Sequence, residues 1–159
     1  FANMYKVFDA LEPETRALLE GCTADNFFEY DANTHTEPGK IGALEDADAP
    51  HYVHPVVVAH PATGRRALFV SRRMTRCVNE LAPEIYEPVL ARIYDMVESN
   101  EFTYAHQWRP GDIVIWDNRC TQHGRRDFDP DSRRLLRRIA IMGDTQPERE
   151  VAPAARIAI

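Results

Sequence analysis

"RPGDIVIWDNRCTQHGRRDFDPDSRRLLRRIAIM", Arg109 to Met142, is the stretch whose reading decides the fold. A Pro–Gly turn opens it. "IVIW" (113–116) is a continuous apolar run, which predicts a buried strand. "RRLLRRIAIM" (133–142) predicts another. The stretch also holds His123 and a crowd of cations: Arg119, Arg125, Arg126, Arg133, Arg134, Arg137 and Arg138. The whole chain carries a net charge of −6, so this concentration is local. It suits a solvated basic loop, a patch for nucleic acid, or a site for a small dianion beside a metal.

Side chains alternate along a strand, so Arg134 and Arg138 share a face, roughly 13 Å apart. If that face lines a barrel interior, each guanidinium needs an anionic partner, because an unpaired buried charge costs several kcal/mol. The planar guanidinium fork matches a carboxylate or sulfonate. His123 stands in the loop after "IVIWDN", and histidine is the commonest metal ligand among side chains.

Working outward, "NMYKVFDAL" (3–11) sets Met4, Val7, Phe8 and Leu11 on one helical face, and "EPETRALLEG" (12–21) follows with an early proline and a terminal glycine. A helical pair is expected over 2–20. "ADNFFEYD" (24–31) reads as a short strand. Residues 31–52, rich in Pro, Gly and acids, read as a mobile excursion. "HPVVVAHP" (54–61) and "RRALFVS" (65–71) form a hairpin around "ATG". "APEIYEPVLARIYDMVESN" (82–100) is a helix, with Ile85, Val89, Ile93 and Val97 on its apolar face. "FTYAHQW" (102–108) alternates like a strand. Strands grouped with few helices between them predict a mainly β fold, an antiparallel sandwich or barrel with helices outside.

The 159 residues suit a single domain, and 44% apolar content provides a core. An acidic chain whose arginines lack interleaved aromatics argues against nucleic-acid binding. No apolar run is long enough for a membrane span, and no signal peptide is visible. Three widely spaced cysteines (Cys22, Cys77, Cys120) point to a reducing, cytoplasmic setting. His54 and His60, on either side of "PVVVA", favour structural over metal roles. Asp117, Asn118 and Arg119 are expected to form a strand-ending turn, and Cys120 a packed thiol.

Three stretches carry a resemblance: "HPVVVAHPATGRRALFVSRRMTR" (54–76), "QWRPGDIVIWDNRCTQH" (107–123) and the arginine pair beyond. Together they resemble the TauD/TfdA family of iron(II)- and 2-oxoglutarate-dependent dioxygenases. The resemblance implies a double-stranded β-helix (jelly-roll) core, residues 1–159 forming the C-terminal part of that domain. It implies a facial triad of two histidines and a carboxylate around Fe(II), with His123 as the distal histidine. It also implies that Arg134 grips the remote carboxylate of 2-oxoglutarate, that Arg138 binds the acidic group of the substrate, and that Trp116 stands near the iron. The implied reaction hydroxylates a small organic acid with O2, giving succinate and CO2. The substrate would be a sulfonate such as taurine, an alkyl sulfate or an aryloxyalkanoate, and "CTQHGRRDFD" (120–129) leans to the last.

The early His-x-Asp motif of the family would lie ahead of Phe1, so this segment alone is expected to be inactive. "HTE" (35–37) imitates the motif, but in a loop. The alternative is a non-catalytic jelly-roll module that binds an organic anion without iron. Assembly into a homo-oligomer is compatible with either reading.

Overall fold

A computed structural model of the chain describes residues 1–27, 51–125, 129, 131 and 135–141. The expected mobile excursion over 31–50, the "HTE" motif and Arg134 lie outside these residues. Among them are seven short strands and three helices.

The chain opens with β1 (Ala2–Asn3) and passes straight into α1 (Met4–Asp9). Asn3 caps α1, its Oδ1 accepting from the N–H groups of Tyr5 at 3.1 Å and Lys6 at 3.2 Å. Pro13 then starts α2 (Pro13–Leu19), where its missing N–H costs nothing. The predicted helical pair is therefore present, and Met4, Val7, Phe8, Leu11 and Leu19 are buried.

Strand β2 (Thr23–Phe27) sits between β3 (His51–Pro55) and β6 (Thr75–Val78) in a three-stranded antiparallel sheet. His51 and Tyr52 thus belong to a strand, although the loop-like composition before them predicted an excursion reaching residue 52. Strands β4 (Val57–Ala59) and β5 (Arg66–Leu68) form the expected hairpin. Its turn places Gly64 at φ +67°, where a side chain would be strained. Val56, Val58 and His60 are buried in period two, so His60 shares the inward face of its neighbours.

Helix α3 (Pro83–Glu98) packs on β6 and α1. Its buried residues are Leu90, Ile93, Tyr94 and Val97. The predicted stripe began at Ile85, but Ile85 is 47% exposed. A step of four residues overshoots one helical turn. A stripe of successive fours therefore drifts around the helix, whereas 90, 93, 94 and 97 stay on one side.

Among the described residues, three of the predicted strands are not formed. Residues 102–108 make only an isolated bridge, Thr103 opposite Ala2. The run 113–116 is unpaired, with Ile113 at 86% and Ile115 at 88% exposure. Residues 135–141 are also unpaired, and Ile139 and Ile141 are exposed. Apolar sequence favours a strand only where a partner edge and a covering layer exist, and the described residues bring neither to these segments. The "RPGD" turn does form, with Gly111 at φ +92°. The last strand, β7 (Thr121–Gln122), pairs antiparallel with β1.

Candidate functional site

The segment 116–123 carries the sequence-predicted chemistry, and the fold pins it from several sides. Gln122 pairs with Ala2 and Thr121 with Asn3. The Met4 N–H donates to the Cys120 carbonyl at 3.0 Å. The Gln122 side-chain amide donates to the Val70 carbonyl. The turn 117–120 is closed by the Arg119 N–H on Asp117 Oδ1 at 2.9 Å, the kind of turn expected from Asp-Asn-Arg.

His123 follows β7 directly. Its ring centroid lies 4.9 Å from that of Trp116 and 6.1 Å from that of Phe1. Phe1 and Trp116 are themselves 5.2 Å apart, so the three rings form one cluster. The Trp116 indole N–H donates to Asn118 Oδ1 at 2.7 Å, which fixes its orientation. One side of the imidazole packs on this cluster and the residue remains exposed on the other. Burial holds the His123 pKa below the ordinary imidazole value, and the positive charge of Arg138 adds to the shift. Both effects favour the unprotonated ring, the form that ligates a metal.

Arg138 is thus close enough for its field to reach His123. It is not in a barrel interior, as the strand reading expected: it is exposed on the unpaired segment 135–141. No ladder forms there, so nothing turns alternate side chains inward. Arg125 and Arg137 are exposed, as expected for solvent-facing arginines.

Among the described residues, one group of three His, Cys, Asp or Glu side chains could converge on a metal: His60, Asp117 and Cys120, whose candidate ligand atoms lie within 4.8 Å of one another. It does not include His123. Its hydrogen bonds also argue against a metal. The Ala62 N–H donates to His60 Nδ1 at 3.2 Å. The ring proton must then sit on Nε2, which donates to Asp117 Oδ2 at 3.0 Å. A metal would need that same Nε2 lone pair. Asp117 is occupied as well, because Arg119 donates from Nε to Oδ1 at 2.9 Å and from Nη2 to Oδ2 at 2.5 Å. These hydrogen bonds from Arg119, with that from His60, hold the Asp117 carboxyl well below the usual carboxylate range. The group is a hydrogen-bonded clasp, and His60 has the structural role its sequence context favoured.

The sequence alone missed two elements of this arrangement. Phe1 bears no motif, and only the β1–β7 pairing brings it to His123. His60 and Asp117 are 57 residues apart. The one local signal is the period-two burial of "VVVAH", which turns a polar ring inward and so demands a partner.

In fold, the chain is similar to part of a taurine dioxygenase from Burkholderia xenovorans. The two match with a TM-score of 0.60 at 24% identity over 75% of this chain and 37% of that one. The chain belongs to the family described as taurine catabolism dioxygenase TauD, TfdA, whose model matches residues 1–140. It is 31% identical to the (S)-phenoxypropionate/alpha-ketoglutarate-dioxygenase of Sphingobium herbicidovorans, over 96% of this chain and 54% of that protein. It is 30% identical to pentalenolactone F synthase of Streptomyces arenae, over 91% of this chain and 51% of that protein. The chain thus spans about half the length of these relatives. Among the described residues, no helix is long and apolar enough to cross a membrane.

Proposed function

We propose that this chain carries the His123 side of an iron(II)- and 2-oxoglutarate-dependent dioxygenase that hydroxylates a small organic acid, with succinate and CO2 as co-products. The observation that carries the reading is the His123 imidazole packed 4.9 Å from Trp116 between ring centroids, at the end of the "WDNRCTQH" motif. Aryloxyalkanoates are the favoured substrate class and sulfonates such as taurine the next. A relative of nearly one-third identity acts on a phenoxypropionate, and "CTQHGRRDFD" leans the same way. The three unpaired thiols fit a reducing cytoplasm.

His123 fits one ligand position on a ferrous ion. One imidazole does not complete a facial triad, and among the described residues no group of candidate ligands includes it. The 159-residue chain by itself is therefore proposed to be inactive. Iron(II) with bound 2-oxoglutarate would activate O2, which is the oxidant. This chain supplies the rest of the setting. His123 presents an unprotonated nitrogen. Phe1 and Trp116 wall its inner side from water. Arg134 is assigned to the remote carboxylate of 2-oxoglutarate and Arg138 to the acidic group of the substrate, roles suited to a guanidinium fork. The reading closes the strands of this chain into a double-stranded β-helix.

The test uses the full-length gene product with iron(II), 2-oxoglutarate, O2 and a panel of phenoxy acids, sulfonates and alkyl sulfates. Succinate release is expected with at least one. His123→Ala should reduce it to background. Arg134→Ala should raise the KM for 2-oxoglutarate by about tenfold to a hundredfold, the worth of one charge-assisted hydrogen-bonded grip. Undiminished release by His123→Ala would overturn the ligand assignment. Saturable binding of an organic acid without succinate would favour the non-catalytic module instead.

A further inference from the structure

The ionic clasp His60–Asp117–Arg119 lies outside the aromatic cluster, yet its middle member is bonded in sequence to Trp116. Asp117 reaches His60, while Trp116, the preceding residue, reaches His123 at 4.9 Å between centroids. The two contacts leave the backbone at consecutive residues, so fixing one restrains the other.

His60 is itself well anchored. It is 8% exposed, at the inward end of the β4–β5 hairpin. Its backbone N–H donates to the Arg65 carbonyl at 2.8 Å, and its carbonyl accepts from Gly64 at 2.7 Å. Its Nδ1 accepts from Ala62, which leaves Nε2–H with Asp117 as its partner. Arg119 closes the other side, chelating Asp117 from within the same turn. From Asp117 onward the chain is held again at Cys120, Thr121 and Gln122 by Met4 and β1. The imidazole of His123 thus hangs from a segment fixed at both ends, and the clasp is the end that bears Trp116.

We infer that the His60–Asp117–Arg119 clasp is a positioning device, which sets the place of Trp116 and through it the orientation of the His123 ring toward a bound metal. This rests on the assignment of His123 as a metal ligand. Neither His60 nor Asp117 touches the metal: the Nε2 proton on His60 and the Arg119 fork on Asp117 commit both. Outer groups that orient a metal-binding histidine are commonly worth about tenfold to a hundredfold in metal affinity.

The experiment measures cobalt(II) affinity of the full-length gene product, in the presence of 2-oxoglutarate and without O2, from the visible absorption of the bound ion. All measurements are made well below each variant's melting temperature. His60→Leu removes the donor and is expected to weaken cobalt binding by about tenfold or more. His60→Gln keeps an N–H donor near the Nε2 position and should restore most of the loss. Arg119→Gln, at an exposed residue that is expected to fold normally, frees one side of Asp117 and should weaken binding by a smaller factor. A lowered melting temperature with unchanged cobalt affinity and spectrum in these variants would overturn the inference, leaving the clasp purely structural. His123→Ala separates the two claims. If it abolishes cobalt binding while the clasp variants do not, only the positioning role falls. If it leaves cobalt binding intact, the ligand assignment falls and the positioning role with it. Should His60→Leu not fold, Arg119→Gln against wild type decides alone, unchanged affinity being the overturning result.

Discussion

Asp117 accepts hydrogen bonds from the Arg119 backbone N–H, the Arg119 guanidinium and His60, which ties its contribution to stability to its charge. Its carboxyl is held well below the usual range by Arg119 first and His60 next. A carboxylate with a depressed folded pKa adds stability above its unfolded pKa of about 3.9 and loses it as pH falls through the folded value. Asp117→Asn removes the charge and should cost about 1 kcal/mol near pH 7, the worth of charged hydrogen bonds discounted for a partly exposed pair. The difference from wild type should shrink as pH falls below about 4. Urea unfolding at falling pH measures it. A gap that widens in acid would mean the charge of Asp117 is a burden in the fold.

At the scale of elements, what decided correctness was whether the partner lay nearby in sequence. α1 and α2 were legible because their signals are local: the Met4–Val7–Phe8–Leu11 stripe, the early Pro13 and the terminal Gly21 suffice. The β4–β5 hairpin was legible because its partner strand is one turn away. The pairing of β1 with β7 spans almost the whole described chain, and no residue in "AN" or "TQ" announces it. The face of α3 was misread by a fixed step of four. That error has a measurable consequence. Ile93 is fully buried against β6 and α1, so Ile93→Ala should cost about 2–5 kcal/mol. Ile85→Ala, at a half-exposed first turn, should stay within about 0.5 kcal/mol. Thermal melts of the two variants distinguish the faces, and equal losses would restore the stripe of fours.

Over the whole molecule, the described strands form three small sheets of two, three and two strands, and the core lies between α1, α3 and the β4–β5 hairpin. The candidate site was legible through a resemblance, since "WDNRCTQH" (116–123) is similar to the family's motif and that likeness implies His123 and Trp116. Their surroundings were not, because "IVIW" and "RRLLRRIAIM" say that the chain is apolar there without saying what would cover it. Ile113, Ile115, Ile139 and Ile141 are each 86–92% exposed. Such residues add almost nothing to the stability of this fold, because they remain in water, but unpaired apolar segments favour association with other chains. The 159-residue chain is therefore expected to bind a hydrophobic dye and to self-associate with rising concentration. Ile113→Lys together with Ile115→Lys should reduce both while changing the free energy of unfolding by about 0.5 kcal/mol or less. Dye fluorescence and sedimentation report the first effect, and urea unfolding reports the second. A loss of several kcal/mol in the double variant would place these isoleucines in a buried layer, and the unpaired reading of 113–116 would then be wrong.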